Sequence, residues 1–342
     1  FVEQAGRATL VPYSATGAFW RLARQLGVDT GATISLAGSF PAITEAANNK
    51  VFFTGLVRAL LGAAAAPREV LAHGPAALAG RVSKIARDCR KLVVKLPDSA
   101  GSAGNFPVFS ADLAGLSMRA LHSYLVDRLG TAPTPTRFPV IVQVWQNSVF
   151  SSPSLQLWVP QRTAGPPIIE GVFRQIIAGP EGRFVGAHPV GSAEPWVAEF
   201  CRQGLMLGQV FQDLGLFGRC SFDAVLFGDD PEDPAIQWLE CNGRWGGVSI
   251  PVVLVNRLFA GSDPPYFAIE QTAPQSHRPG RPFSDGLRLV SDLLWRPGAS
   301  QGIIFLTPSG FEAGTGHHFI SVAPSEHEAN GQAHSAIARL QT

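Results

Sequence analysis

Three groups of residues in this chain of 342 have the types and spacing to do chemistry. The first lies in Ser221 to Pro251, SFDAVLFGDDPEDPAIQWLECNGRWGGVSIP. Two strands are expected there, Cys220 to Phe227 and Ala235 to Asn242, joined by the turn GDDPEDP. Residues two apart on a strand share a face, so Glu240 and Asn242 send their oxygens to one side. If the turn is centred between Pro231 and Glu232, Asp223 stands directly opposite Glu240. A slip of one residue would turn it to the other face. In the favourable register two carboxylates and an amide oxygen converge, with Arg244 just beyond. Hard oxygen donors of this kind suit Mg2+, which takes the rest of its shell from phosphate and water. The plainer reading is a pair of solvated acids on a half-exposed sheet. Trp238, Cys241 and Trp245 weaken it, because a carboxylate in an apolar frame is costly unless paired or liganded.

The second group is Val93 to Gly104, VVKLPDSAGSAG. A lysine, Lys95, ends a short β-branched strand and runs into a Gly/Ser loop over 97–105. Such a loop can set an ammonium and several backbone N–H groups around phosphate oxygens, through Ser99, Gly101, Ser102 and Gly104. It is neither a Walker A loop nor a dinucleotide-binding glycine fingerprint. A flexible connector is the plainer alternative. The third element is Lys50 at the start of a helix, where a cation opposes the helix dipole and a nearby anion would relieve it. A solvated lysine is the alternative there. Only four lysines exist, Lys50, Lys84, Lys91 and Lys95, among 27 basic residues, so lysine chemistry has few candidates.

The elements that must hold these residues can be read from period and punctuation. Gly17 to Leu26 is amphipathic. Asn48 and Asn49 cap a helix from Lys50 to Leu61, with Gly62 just past its end. A second helical stretch covers Pro75 to Cys89, and Lys91 to Leu96 is a strand. Ser110 or Ser117 caps a helix running to Gly130, with Leu113, Leu116, Leu121, Tyr124, Leu125 and Leu129 on its apolar face. Val140 to Trp145, Leu155 to Val159, Ile168 to Ile177 and Phe184 to Ala187 are strands. Ser192 and Pro195 open a long helix ending at Gly215 or Gly218. Near the end, Gln271 to Asp285 is a polar, Pro-rich loop. Ile303 to Leu306 and His318 to Val322 are strands, and the capping box Ser325 to Glu328 starts a final helix. His317, His318, His327 and His334 lack an acidic partner at ligand spacing and are read as ordinary polar positions.

Composition narrows the class. A formal charge of +1 excludes a broad nucleic-acid surface. The most apolar stretch, Val51 to Ala66, is interrupted by Arg58 and falls short of the ~20 residues of a membrane span. Cys89, Cys201, Cys220 and Cys241 have no C-x-x-C spacing and are expected to be reduced thiols of a cytoplasmic protein. There is no G-x-S-x-G elbow for a serine hydrolase.

The ordered set of Lys50, Lys95 with its Gly/Ser loop, Asp223, and Glu240-x-Asn242 resembles the ATP-grasp superfamily of carboxylate–amine ligases. The resemblance implies an α+β fold in which two α+β subdomains clamp the nucleotide between antiparallel sheets. Lys50 and Lys95, 45 positions apart, would contact the nucleotide phosphates. Ser99, Gly101, Ser102 and Gly104 would cover them, and Asp223, Glu240 and Asn242 would hold Mg2+. Arg244 would steady the acyl phosphate or tetrahedral adduct, and Lys95 shares that catalytic role. FGRCSFD followed by WLECNGRWGGVSIP is similar to the pheganomycin-type peptide ligases, which carry a pre-ATP-grasp domain. LVPYSATGAFWRLARQLGV would then be the tail of that α/β domain, in a chain that opens on Phe1. This implies three parts: 1–47, then 48–143 with the loop, then 144–342 with the metal-binding strands. The adenine would lie against Gln143, Val144 and Trp145. Gln143 replaces the usual glutamate, and no acid follows at the ribose position; Glu170 and Arg174 are further site candidates.

The expected reaction uses ATP and Mg2+ to join a small-molecule or peptide carboxylate to an amine. A thiol acceptor and a non-catalytic ATP-binding module are the alternatives, and a homodimer is allowed. Substrate loops are expected at Gly246 to Ser249 and within Gly261 to Phe283.

Overall fold

A computed structural model describes residues 2–99, 104–131, 136–260, 266–272 and 280–341. These residues build three sheets in order. The first is small and parallel. After a short helix α1 (Val2–Ala5), strand β1 (Arg7–Leu10) crosses through α2 (Gly17–Thr30) to β2 (Thr33–Leu36). The crossover helix runs four residues beyond the expected Leu26 and stops at Gly31, whose φ of 67° is the left-handed cap that glycine adopts freely. Helices α3 (Pro41–Ala47) and α4 (Lys50–Leu61) follow. Asn49 caps α4 as expected, accepting from the N–H groups of Val51 and Phe52.

The second sheet has four antiparallel strands, β3 (Glu69–Ala72), β4 (Lys91–Lys95), β5 (Asn105–Phe109) and β6 (Val140–Val144), in the order β3-β6-β4-β5. Helices α5 (Pro75–Ile85) and α6 (Met118–Gly130) cover one face, burying Leu78, Val82, Leu121 and Leu125 against Leu92, Val94 and Val142. The alternation of a strand then fixes the other face. Lys95 and Ile141 are paired neighbours there, as are Val93, Gln143 and Glu69. β5 contains Pro107 and was not expected as a strand; an edge position tolerates the missing N–H. Ser117, not Ser110, caps α6, so Leu113 and Leu116 precede the helix.

The third sheet has nine strands. They are β7 (Val149–Ser151), β8 (Pro153–Val159), β9 (Ile168–Ala178), β10 (Arg183–Pro189), β11 (Gly218–Phe227), β12 (Ala235–Asn242), β13 (Tyr266–Thr272), β14 (Gly302–Thr307) and β15 (His317–Ala323). Their order is β12-β11-β8-β9-β10-β13-β15-β14, with β7 on β11, all antiparallel. Helix α7 (Val197–Asp213) lies on it with α4. Phe53, Phe200, Phe211, Phe222 and Trp238 are fully buried in that layer. Each burial of this size is worth roughly 1.5–3 kcal/mol or more, so the carboxylate-bearing strands rest on a rigid aromatic bed.

Helix α8 (Ser249–Leu258) follows β12, α9 (Phe283–Leu289) and α10 (Ser309–Glu312) flank β14, and α11 (Glu326–Leu340) closes the chain. Ser325 caps α11 through the N–H of Glu328, as the capping box predicts. α7 begins at Val197 without a side-chain cap, so neither Ser192 nor Pro195 opens it. The expected loop Gln271 to Asp285 lies partly outside the described residues, and its last part is helical in α9. Among the described residues no helix is long and apolar enough to cross a membrane.

Candidate active site

The register of the β11–β12 hairpin decides whether the acids meet. Near the turn, Phe227 pairs with Ala235 and Ala224 with Trp238. That register is one residue off the expected one, and continued, it would leave Asp223 opposite Leu239. A bulge between Asp223 and Ala224 takes up Leu239 and restores the pairing Asp223 to Glu240 and Ser221 to Asn242. Bulges of this kind re-aim side chains next to functional sites. The expectation of facing carboxylates holds, but by an irregularity that no periodic pattern shows.

Asp223 lies on β11, between β12 and β8 near one edge of the sheet. Ser154, its partner on β8, donates to Oδ1 at 2.6 Å, and Asn242 Nδ2 donates to Oδ2 at 3.0 Å. Gln156 in turn donates to Ser154 Oγ at 2.8 Å, and Gln175 adds a further bond to the carboxylate. Burial and then the neighbouring Glu240 charge push the Asp223 carboxyl up to about 7, against the opposing pull of Ser154, Arg244 and Gln175. Glu240 goes the other way. Burial alone would raise it, but Lys50, Lys95 and Arg244 together hold it below the usual carboxylate range. Its side chain keeps 29% exposure.

Lys50 supplies the direct contact. Its Nζ lies 3.0 Å from Glu240 Oε2 and donates to the Ser99 carbonyl at 2.6 Å. Its backbone N–H donates to the Pro97 carbonyl at 2.9 Å. One lysine thereby ties the start of α4 to the Gly/Ser loop and to the metal-type cluster. Lys95 is buried on the open face of the four-stranded sheet. Burial lowers its ammonium to about 8, with Lys50 adding to the fall while Glu240 and Glu69 resist it. Glu69 is a charged neighbour that no pattern in the sequence singles out. Burial raises its carboxyl, against Arg58, Lys95 and a hydrogen bond to Thr54.

At the base of the loop, the Leu96 N–H donates to the Gly104 carbonyl at 3.0 Å, and Ser99 Oγ donates to the Leu96 carbonyl. A Cβ on Gly104 would stand 2.4 Å from Ser99 Oγ, so only glycine allows this closure. Gly101 and Ser102 lie outside the described residues.

Gln143 is buried beside Glu69. The N–H groups of Val144 and Trp145 are already used by the carbonyls of Arg68 and Lys91. Any backbone donor offered to a flat ligand there must come after Trp145, or the contact is made by carbonyls. Lys91 rests over the Trp145 ring at 3.3 Å and donates to the Pro180 carbonyl at 2.9 Å, bridging the two larger sheets.

Arg244 Nη1 donates to Asn242 Oδ1. Gly243, between them, has no room for a side chain: a Cβ would come within 2.6 Å of the Ala47 Cβ. Arg244 also lines a cavity of about 440 Å3 between the small parallel sheet and the nine-stranded sheet. Of the other candidates, Glu170 pairs with Arg219 at 2.8 Å beside this cavity, while Arg174 pairs with Glu194 at the surface. Ser154, Gln156 and Gln175 were missed. Polar residues two apart inside the buried strand PSLQL were the available signal for the first two. Among the described residues no three of His, Cys, Asp and Glu gather as a metal site. Asp223 and Glu240 face each other as expected, but the Asn242 amide turns its nitrogen to Asp223 and its oxygen to Arg244, so the expected convergence of an amide oxygen with the two carboxylates is not seen. The four cysteines are free.

Neither a family model nor a curated protein sequence matches the chain. Solved structures do. The biotin carboxylase domain of the Hydrogenobacter thermophilus 2-oxoglutarate carboxylase, seen with MgADP, ADP and bicarbonate, superposes with a TM-score of 0.63 at 12% identity, over 97% of this chain and 74% of that one. An N5-carboxyaminoimidazole ribonucleotide synthetase bound to ADP gives 0.60 at 12% identity, over 93% and 76%. The corresponding synthetase from Thermus thermophilus gives 0.58 at 13%, over 97% and 81%. At such identities the likeness speaks for architecture alone, and that architecture is the α+β fold of the ATP-grasp proteins.

Proposed function

We propose that this chain is an ADP-forming ligase that activates a carboxylate with ATP and passes the acyl group to an amine. The observation that carries the reading is the bulge that brings Asp223 opposite Glu240, within reach of Lys50, Lys95 and Arg244. Two of the similar structures were seen with ADP or MgADP, which supports the nucleotide half of the proposal.

The donor set fits Mg2+. Asp223 and Glu240 offer hard oxygens, and the crowding that raises Asp223 is what a divalent cation would relieve. Asn242 would add its oxygen once its amide turns from Arg244, exchanging the bonds it now makes to Asp223 and Arg244. Bound there, Mg2+ would neutralise charge on the β- and γ-phosphates. Lys50 and Lys95 would hold phosphate oxygens, with Ser99, Gly104 and the rest of the 97–105 loop covering them. Phosphoryl transfer asks mainly for alignment and charge neutralisation, which these groups supply. The substrate carboxylate oxygen attacks the γ-phosphorus as the bond to ADP breaks, giving an acyl phosphate. An amine nitrogen then bonds to the carbonyl carbon, phosphate leaves, and the nitrogen loses a proton. Arg244 would stabilise the oxyanion between these steps. Gln143, Val144 and Trp145 would form the adenine end.

The finer reading is a peptide- or natural-product-forming ligase with a pre-ATP-grasp segment at 1–47, followed by 48–143 and 144–342. It rests on the likeness of FGRCSFD and WLECNGRWGGVSIP to the pheganomycin-type ligases. A cytoplasmic setting and a homodimer belong to the same proposal. The test is ADP release screened over carboxylates and amines, with mass spectrometry of the product. ADP and an amide are expected, both lost in Lys95→Ala and Glu240→Gln. ADP formation at an unchanged rate in either variant would refute the assignment.

A further inference from the structure

The cavity beside Arg244 has an unusual balance of charge. Arg219, Arg244 and Arg257 line it, and among the described residues no carboxylate does. Arg219 is already engaged. Glu170 accepts from it at 2.8 Å, and the guanidinium lies 5.1 Å from the Trp158 ring and 4.6 Å from the Trp245 ring. Its role is to stiffen an aromatic wall. Two cations are left to meet a ligand. Arg244 uses one N–H on Asn242 and has others to give. Arg257 is exposed and has no hydrogen bond or ion pair among the described residues. It stands four residues after Val253 on α8, so both share the helix face turned to the cavity. Thr44 adds a second observation. It is 4% exposed, lines the cavity, and its hydroxyl has no partner.

We propose that this cavity is the acyl-donor site and that it selects a dicarboxylate. The inference rests on the ligase reading and names its substrate class. One carboxylate lies at Arg244, next to the oxygen cluster where phosphoryl transfer would occur. The second pairs with Arg257. Arg244 lies five residues before α8 begins at Ser249, and Arg257 lies in the last turn of that helix, so the two guanidiniums stand at different places on the cavity wall. A carbon skeleton against Trp158, Trp245 and Val253 would span the gap. The volume of about 440 Å3 suits a small ligand. An amino acid with a free α-ammonium is disfavoured, because no lining carboxylate would pair with it.

The experiment uses the full chain with Mg-ATP and hydroxylamine, which traps acyl phosphates whatever the natural amine is. Glutarate, adipate and suberate are each compared with their monoamides, and glutarate with glutamate. Dicarboxylates are expected to exceed their monoamides about tenfold or more in kcat/KM, the worth of one charge-assisted contact. Arg257→Met should abolish most of that preference through KM, and Arg257→Lys should restore part of it. Monoamides or glutamate performing as well as the dicarboxylates would overturn the assignment, as would a preference that survives Arg257→Met. If no acid yields ADP, the ligase reading fails, and calorimetric titration then judges the cavity alone. Dicarboxylate binding weakened by Arg257→Met would uphold the site, and no binding would overturn it.

Discussion

Replacing Lys50 by Met keeps most of the buried stem and deletes the ammonium that lies 3.0 Å from Glu240. Breaking a buried pair by removing one partner generally costs 3–5 kcal/mol, about the energy of an uncompensated charge. Two features reduce that here. Glu240 keeps 29% exposure, and Lys95 and Arg244 still favour its ionised form. The Ser99 carbonyl also loses its donor, at about 1 kcal/mol. The net expectation is about 2–3 kcal/mol of lost stability at neutral pH. Urea denaturation would show it as a lower midpoint with an unchanged slope. Adding Glu240→Gln to Lys50→Met should recover more than half, because the stranded charge goes with it. The sign with pH also follows. In the parent, Glu240 is held below its ordinary value of 4.5, so its stabilisation is full above that value and is lost as pH falls through the lowered one. The variant loses the share of this contribution that Lys50 makes, and the gap between the two proteins should narrow in acid. A Lys50→Met protein within about 0.5 kcal/mol of the parent, or no recovery in the double variant, would refute the account of this pair.

Three further outcomes are expected. Burial raises the Glu270 carboxyl from 4.5 to about 7, so stability should fall as pH rises between those values; Glu270→Gln should remove that slope and gain about 1–2 kcal/mol at pH 8 in denaturant melts, after allowing for partial exposure. Gly243→Ala should cut ADP release about tenfold or more and also lower the melting temperature, since the added Cβ must push the segment carrying Asn242 and Arg244 off fully buried Ala47. In α7, Gly204→Ala places a Cβ 2.1 Å from a methyl of fully buried Leu155 and should cost about 1–3 kcal/mol, whereas Gly80→Ala in the exposed, open middle of α5 should gain about 0.5–1 kcal/mol.

Much of the site was legible because its residues sit where local rules are strong. The Asn49 cap and the period of Lys50 to Leu61 located α4, and with it Lys50. The β-branched run before Lys95 located β4. What local pattern could not supply was long-range. The pairing of Asp223 with Glu240 depends on a bulge at Leu239, which alternation alone does not reveal. Glu69 matters through its place beside Lys95 across two strands, and a lone glutamate in REVLA carries no periodic signal. β1, β2 and β3 are four residues each, too short for a period to show. α9 was masked by the polar, Pro-rich composition before it, and β5 by Pro107. Tertiary packing decided those elements.

The central claim is that a substrate carboxylate oxygen takes the γ-phosphate of ATP at the Asp223–Glu240 cluster. The most direct measurement supplies a turned-over acid labelled with heavy oxygen in its carboxylate and follows the label by mass spectrometry. The account predicts one labelled oxygen in each phosphate released, with ADP in equal amount and no transfer in Glu240→Gln. Phosphate free of label, or AMP in place of ADP, would contradict it.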